Sequence, residues 1–290
     1  MSNNIHAVYI GWPKCASTWF HRLCEASPEL AVSPSKDLNF FSHNYSRGIG
    51  WFLSHVNFEA DDAKPIDINH DYIFSERALL NIYESSSSTK VIIFLRYPLD
   101  WLISEFNYVT AVANVTCDFE TYLDEYPYAL EYCRYEELLT RVFEIFPEAS
   151  TFIGFQEDLA NDPIYFADTL TEFLGISRVD PAAFNPGRKV NSGIRPRFLF
   201  VPSLVKIVKK FFLFFRLDSV YGLIKRSAVR RFFFAENVKE NELLSNYINS
   251  NLVSWSRQKR IEVEAVLGIQ IEIWRRREQE LIAMIGGGLE

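Results

Sequence analysis

The 290-residue sequence lacks the features that would place a chain in a membrane, outside the cell or on nucleic acid. No apolar run reaches the roughly 18–20 residues that span a bilayer, and three lysines interrupt the longest candidate, residues 201–217. The first residues, MSNNIHAVYIGWPK, have no basic start and no long apolar stretch, so we expect no signal peptide. The net charge of −7 argues against a nucleic-acid partner, because such proteins need a basic surface to displace counterions.

Cysteine is also scarce. The sequence has four cysteines, with no CxxC pair and no metal-ligand spacing. This pattern predicts reduced thiols rather than a disulfide framework, and no metal site. We therefore expect a cytoplasmic protein.

What is present is an alternation of strand and helix patterns. Apolar runs predict strands at residues 6–10, 90–95 and 150–155, and a short extended piece at 31–32. Helical spacing predicts helices at residues 19–26, 99–109, 131–146 and 163–174, with Gly175 ending the last one. The alternation predicts an α/β fold, a single domain over residues 1–290 with a central parallel sheet flanked by helices.

The segment 195–236 is basic and aromatic. Between residues 195 and 231 it has ten Lys or Arg and one acid, Asp218. Its apolar residues recur at helical spacing, which predicts a helix that packs its rings over the core and helps to build an acceptor pocket. A basic amphipathic helix can also bind a membrane surface, so peripheral contact through 201–234 is the alternative. A C-terminal helix is predicted over 255–285.

The first strand and helix are joined by a loop of the kind that binds phosphate. Such loops often read GxxxxGK[ST], with a lysine directly before the hydroxyl residue. Here Gly11 is followed by Ala16 in place of the second glycine and Ser17 in place of the lysine, while Lys14 lies inside the loop. A lysine at that position can reach the bridging oxygen of a donor with fewer charges than a triphosphate and no metal. An ordinary strand–helix turn is the alternative.

A second segment follows the strand at 90–95. Arg96 stands at the carboxyl end of that strand, the edge where α/β sheets bind ligands, and Ser104 lies about two turns into the next helix. A guanidinium fork and a hydroxyl can hold a terminal phosphate. A structural salt bridge and helix cap is the alternative.

These segments together resemble the sulfotransferases that use 3′-phosphoadenosine-5′-phosphosulfate (PAPS). PKCASTW (13–19) resembles the family's 5′-phosphosulfate loop, and FLRYPLDWLISEF (94–106) resembles its 3′-phosphate segment. FPEASTFIGFQEDLANDPIYFADTLTEFLGI (146–176) is similar to a strand and helix of the family. SPSKDLNFFSHNYSRGIGWFLS (33–54) is similar to a segment of the heparan sulfate glucosaminyl 3-O-sulfotransferase branch, and VLGIQIEIW (266–274) to the C-terminus of many bacterial members.

The resemblance implies a P-loop sulfotransferase fold with PAPS as co-substrate, 3′-phosphoadenosine-5′-phosphate (PAP) as product and no metal. It implies a small-molecule or carbohydrate acceptor. The residues it implies as catalytic are Lys14, Asp37 and Arg77. Those it implies for binding the donor are Lys14, Cys15, Ala16, Ser17, Thr18, Trp19, Arg96, Ser104, Arg188 and Lys189.

The sequence departs from the family's pattern at several positions. Ala16 replaces a loop glycine, which is tolerable only if its φ stays negative. Asn39 replaces a histidine of the heparan branch, and Gln156 stands where many members have a tyrosine. The expected base, Asp37, could instead be a loop carboxylate paired with Lys36. The remaining candidate bases are His43, His55 and His70.

Sulfuryl transfer needs in-line positioning, stabilisation of charge on the leaving oxygen and a base for the acceptor hydroxyl. Two other functions stay open on the sequence. One is an ATP-using P-loop kinase, which predicts dependence on Mg²⁺. The other is an inactive nucleotide-binding or membrane-binding module that has kept the fold and lost the chemistry.

Overall fold

The computed structural model of the chain describes residues 4–113, 117–185, 187, 194–196, 234–236 and 248–286. Its described residues fall into two compact units. The first contains residues 4–95, 141–185 and 187, and the second contains residues 96–113, 117–140, 194–196, 234–236 and 248–286. The single domain expected over 1–290 stays a prediction.

A parallel sheet forms the centre of the first unit. Its strands are β1 (Ala7–Gly11), β2 (Leu30–Ala31), β3 (Lys64–Ile68), β4 (Lys90–Leu95) and β5 (Thr151–Phe155). They lie in the order β2-β3-β1-β4-β5, and every neighbouring pair is parallel. The predicted α/β fold with a central parallel sheet is therefore confirmed. Two further strands, β6 (Ile194–Pro196) and β7 (Phe234–Glu236), form an antiparallel pair.

Helices connect and follow these strands. They are α1 (Ser17–Ala26), α2 (Ile49–Leu53), α3 (Glu76–Ser85), α4 (Pro98–Ala113), α5 (Phe119–Glu125), α6 (Tyr128–Glu131), α7 (Tyr135–Ile145), α8 (Gln156–Asn161), α9 (Pro163–Leu174), α10 (Pro181–Phe184), α11 (Ser250–Leu267) and α12 (Glu272–Gly286). No helix in the described ranges is both long enough and apolar enough to cross a membrane. The segment 197–233, which carries most of the predicted basic aromatic helix, lies outside the described residues.

Local sequence explains the helix ends that were predicted correctly. Asp162 accepts a hydrogen bond from the Tyr165 amide, and Pro163 occupies the first turn of α9, where its missing N–H costs nothing. Gly175 ends the helix with a φ of 65°, the left-handed conformation that glycine adopts readily. At α1 the predicted start at residue 19 was wrong by two residues, because Ser17 is the first helical residue and Ala16 is its N-cap.

The helix predicted over 131–146 is interrupted. It is replaced by α6 and α7, separated by a turn at residues 132–134. Tyr132 stacks on Trp101 with ring centroids 5.6 Å apart, and the buried Cys133 directs its thiol toward the Pro98 carbonyl at 3.9 Å. These contacts within the second unit outweigh the local helical preference, which is weak by comparison.

The C-terminal helix predicted over 255–285 is also divided. Gly268, with a φ of 65°, ends α11, and α12 begins four residues later. Charged groups bind the two helices together. Arg260 pairs with Glu264 at 2.6 Å and with Glu278 at 3.1 Å, and Arg275 pairs with Glu264 at 3.0 Å. The buried Glu278 and the largely buried Glu264 thus both have guanidinium partners, as burial of charge requires.

A bidentate ion pair joins α12 to α4. Arg277 donates from Nε and Nη2 to the two carboxylate oxygens of Asp100, each at 2.8 Å. We expect Asp100→Ala to lower the free energy of unfolding by about 2–3 kcal/mol, because it leaves a largely buried guanidinium without this partner. Urea unfolding measures the change. Glu280 pairs with the same arginine but is 62% exposed, so Glu280→Ala should cost under about 0.5 kcal/mol. Equal losses would contradict the prediction.

Candidate functional site

The loop from Trp12 to Ala16 has the backbone shape of an anion site. Lys14 and Ala16 are left-handed, with φ values of 63° and 61°. The negative φ on which the tolerance of alanine at position 16 was made to depend is therefore not observed. A left-handed alanine costs about 1–2 kcal/mol, so the surrounding structure must hold it in place. Left-handed residues in a tight turn are the means by which a loop brings successive N–H groups toward one bound anion.

Core contacts hold this loop. The buried Tyr9 hydroxyl donates toward the carbonyl oxygens of Trp12 at 3.0 Å and Cys15 at 2.9 Å. The Trp12 amide donates to the Phe94 carbonyl at 3.1 Å. Because two loop carbonyls turn inward to Tyr9, the loop is held at the amino end of α1, the end at which a helix favours an anion.

The loop residues differ in what they can offer a ligand. Lys14 and Thr18 are partly exposed. Cys15 is fully buried, and the Trp19 ring packs edge-on against Phe166 with centroids 5.6 Å apart. Both side chains therefore belong to the core. Cys15 can offer a ligand its backbone amide, whereas the Trp19 amide donates to the Ala16 carbonyl at 2.9 Å.

A second lysine reaches the start of α1. Lys36 donates from Nζ to the Ser17 hydroxyl at 2.7 Å. From the sequence, Lys36 was considered only as a neighbour of Asp37, and this contact was not predicted. The signal was present, since this lysine precedes the acidic position in the segment 33–54 that carries part of the resemblance.

The chain around Asp37 is fixed to the carboxyl end of β3. The Asp37 amide donates to the Ile68 carbonyl at 2.9 Å. The Asn69 side chain donates to the Asn39 side-chain oxygen at 2.8 Å, and Asn39 donates to the Asp37 carbonyl at 3.0 Å. Both Asp37 and Asn39 are left-handed, with φ values of 63° and 55°. Asparagine and aspartate tolerate this conformation better than most residues.

Asp37 forms a short contact with a histidine that is distant in sequence. Its Oδ1 lies 2.8 Å from Nδ1 of His70, and the other ring nitrogen of His70 lies 3.5 Å from Oδ1 of Asp71. Burial lowers the pKa of His70. The hydrogen bond and charge of Asp37, with the charge of Asp71, outweigh that effect and the opposing charge of Lys36. The pKa of His70 is therefore raised above its ordinary value of 6.5.

His70 is adjacent to the start of the loop. A Cβ placed on Gly11 would lie 2.7 Å from Cγ2 of Ile73 and 3.4 Å from the carbonyl oxygen of His70. Only glycine allows this close approach. The segment that follows β3 therefore packs directly on the residue that begins the loop.

A buried carboxyl lies beneath this cluster. Asp67 is 2% exposed and accepts a hydrogen bond from the Tyr72 hydroxyl at 2.8 Å. Burial raises the pKa of Asp67 to about 7, and the charge of Asp37 adds to the effect. This group was not singled out from the sequence, because nothing local distinguishes it from an exposed aspartate.

The remaining predicted residues stand as follows. Arg77 lies in the first turn of α3 with an exposed side chain. Arg96 and Ser104 belong to the second unit and are partly exposed. Arg188 and Lys189 lie outside the described residues. The roles expected for these residues stay predictions.

Two of the other candidate histidines have local partners. His43 is exposed and lies 3.0 Å from the Ser42 hydroxyl. His55 is buried against Trp51, with ring centroids 4.4 Å apart and Nδ1 2.8 Å from the Trp51 carbonyl. His70 is the candidate that the fold brings into contact with Asp37.

Comparison with known proteins points to one family. Residues 5–184 match the model of the Sulfotransferase domain. Heparan sulfate glucosamine 3-O-sulfotransferase 5 from Mus musculus and the same protein from Homo sapiens are each 28% identical to this chain over 105 residues. That alignment covers 36% of this chain and 30% of either relative, so the chain spans under a third of their length.

A solved structure shares the fold over nearly the whole chain. The crystal structure of a sulfotransferase from Alicyclobacillus acidocaldarius superposes with a TM-score of 0.59 at 15% identity. The match covers 94% of this chain and 99% of that one. At this identity the likeness establishes the fold alone.

Proposed function

Because the chain belongs to the sulfotransferase domain family, we propose that it moves a sulfuryl group from PAPS to an acceptor hydroxyl and releases PAP. The reaction is an in-line displacement. The observation that carries this proposal is the pair of lysines at the start of α1, Lys14 within the loop and Lys36 on the Ser17 hydroxyl.

These residues suit a phosphosulfate donor. We assign its 5′-phosphosulfate to the amides of residues 14–18 and to the hydroxyls of Ser17 and Thr18, where the helix dipole favours an anion. Lys36 adds a positive charge beside Ser17. Ser17 occupies the position that carries the lysine of a GxxxxGK[ST] loop, so the positive charges are distributed differently from those of a triphosphate site.

The 3′-phosphate of the donor needs its own anion site. On the motifs alone, we assign it to Arg96 and Ser104, and the same resemblance adds Arg188 and Lys189. A planar guanidinium can donate parallel hydrogen bonds to two phosphate oxygens at once, whereas an ammonium acts as a point charge. This site would distinguish PAPS from nucleotides that lack the 3′-phosphate.

Catalysis then requires stabilisation of the charge on the leaving oxygen and removal of the proton from the acceptor hydroxyl. Lys14 stabilises the negative charge that develops on the bridging oxygen as the sulfuryl group leaves. Arg77 contacts the sulfuryl oxygens. The pair of Asp37 and His70 takes the proton of the acceptor hydroxyl, which becomes acidic late in a loose transition state.

The acceptor is a hydroxyl of a small molecule or carbohydrate, such as a glycan, a glycolipid or a natural product. The local similarity to heparan sulfate glucosamine 3-O-sulfotransferase 5 supports a saccharide within this class. We place the enzyme in the cytoplasm. Its four free cysteines, three of them buried, suit a reducing compartment.

Calorimetry with three nucleotides tests the proposed donor. PAP should bind at least about tenfold more tightly than 5′-AMP, since the 3′-phosphate adds charge-assisted hydrogen bonds of about 1.5–3 kcal/mol. PAP should also bind more tightly than ATP with Mg²⁺, and EDTA should leave its Kd unchanged. Tighter binding of Mg²⁺-ATP would favour a kinase. Binding of PAP without any release of PAP from PAPS would favour an inactive module.

A further inference from the structure

We propose that the proton acceptor is Nε2 of His70, that Asp37 orients the ring, and that Asp71 passes the proton to solvent. This inference rests on the proposed sulfuryl transfer. It changes the role of Asp37 from base to positioning residue, and it assigns a function to two residues that follow β3.

The first step of the argument is the tautomer of His70. The 2.8 Å contact between Nδ1 and Asp37 Oδ1 places the ring proton on Nδ1, since a carboxylate can only accept. The lone pair of the neutral ring then lies on Nε2. Asp37 is itself held by its backbone bond to Ile68, so the carboxylate fixes the ring orientation from a rigid strand end. This is the relation of carboxylate to histidine in a Ser-His-Asp triad.

The second step concerns which group can act as base near neutral pH. A base is most efficient when its pKa lies near the working pH, and an imidazole meets this condition better than a carboxylate that already accepts an N–H. Asp37, Asp71 and Lys36 are the charged groups that face His70, and the two carboxylates prevail over the lysine. The protonated ring is therefore stabilised by Asp37, which orients it, and by Asp71.

The third step is the exit of the proton. The exposed side-chain fraction rises from 23% at Asp37 to 30% at His70 and 58% at Asp71. Asp71 lies 3.5 Å from Nε2, beyond a direct hydrogen bond, which leaves this nitrogen available to a hydroxyl. The three side chains thus lead from a half-buried carboxylate to an exposed one.

The proposed reaction balances in protons and electrons without another reactant. The acceptor O–H bond breaks as its oxygen bonds to sulfur, and the proton moves to Nε2, while the electron pair of the cleaved S–O bond stays on PAP. The imidazolium then gives the proton to Asp71 and water. His70 returns to its neutral form with Nδ1–H still directed at Asp37.

The test uses the full chain, with release of PAP from PAPS and water as acceptor. His70→Gln should lower kcat by about 100-fold or more, with the Kd for PAP within threefold of the wild type. His43→Gln, an exposed histidine outside the cluster, is the matched control and should stay within twofold. If His70→Gln does not fold, His70→Ala is used instead, and free imidazole should restore its activity.

A second readout separates a proton acceptor from a structural histidine. The ring pKa of His70, measured by NMR in the PAP complex, should lie above 6.5 and fall in Asp37→Asn. The acidic limb of kcat should move to lower pH in the same variant. Activity in His70→Gln above a third of the wild type, or a ring pKa that does not move, would overturn the proposal. A wild type that neither binds PAP nor turns over PAPS would instead refute the proposed function, and this inference with it.

Discussion

Replacing Lys14 with alanine should lower kcat for sulfuryl transfer by about 1,000-fold or more, while the Kd for PAP rises less than about tenfold. The reason is that Lys14 acts on charge that develops on the bridging oxygen only as the S–O bond breaks. PAP has no sulfuryl group and no bridging oxygen. The interaction that Lys14 makes in the transition state therefore contributes little to the binding of PAP. Single-turnover release of PAP from PAPS, with calorimetry of PAP, measures the two effects separately.

Lys64→Ala is the matched control for this experiment. Lys64 begins β3 and donates from Nζ to the Gly175 carbonyl at 2.6 Å, at the opposite end of the sheet from the loop. It should leave kcat within about twofold. Lys14→Arg keeps the charge but not the geometry, and should recover part of the activity. If Lys14→Ala lost PAP binding and turnover in the same proportion, its role would be ground-state binding rather than catalysis.

Replacing Asp67 with asparagine should remove a pH dependence of stability worth up to about 4 kcal/mol. The folded pKa of Asp67 is raised to about 7 from an ordinary 3.8. Between these values the folded chain holds a proton that the unfolded chain has released, so stability falls as pH rises through this window. Below it both states are protonated and the loss is absent. An asparagine can still accept from the Tyr72 hydroxyl and has no charge to bury.

Urea unfolding of the two proteins at pH 5 and pH 8 tests this expectation. The stability of the wild type relative to Asp67→Asn should fall by about 2.5 kcal/mol between these pH values. Asp61→Asn, which changes an exposed carboxylate, is the control and should show no such difference. A wild type whose stability relative to Asp67→Asn does not change over this range would show that the carboxyl is charged in the folded chain at both pH values.

The sequence predicted those elements whose signals are local. The strand at 90–95 has the predicted bounds, because a continuous apolar run is typical of a strand that is buried on both faces of a parallel sheet. The helix at 163–174 does too, because its aspartate cap, first-turn proline and closing glycine all lie within the segment. β3 was not predicted. Its five residues include Pro65 and Asp67, and these residue types are uncommon in the interior of a buried strand.

The site divides in the same way. Lys14 and its loop were predicted, because a phosphate loop is a short motif between one strand and one helix. The left-handed φ of Ala16 was not, because contacts from Tyr9 and Phe94 impose it against the preference of alanine. Lys36 and Ser17 are 19 residues apart, and Asp37 and His70 are 33 apart. Such pairs form only when parallel strands bring their carboxyl ends to one edge of the sheet.

The amino-acid sequence by itself therefore determined the fold class, the phosphate loop and the family that the chain resembles, since each depends on residues that are neighbours in sequence. Only the tertiary structure decided which lysine reaches Ser17, which histidine faces Asp37 and which carboxyl is buried at Asp67. Charge interactions and burial act over a few ångströms through space, and sequence separation carries little information about such distances.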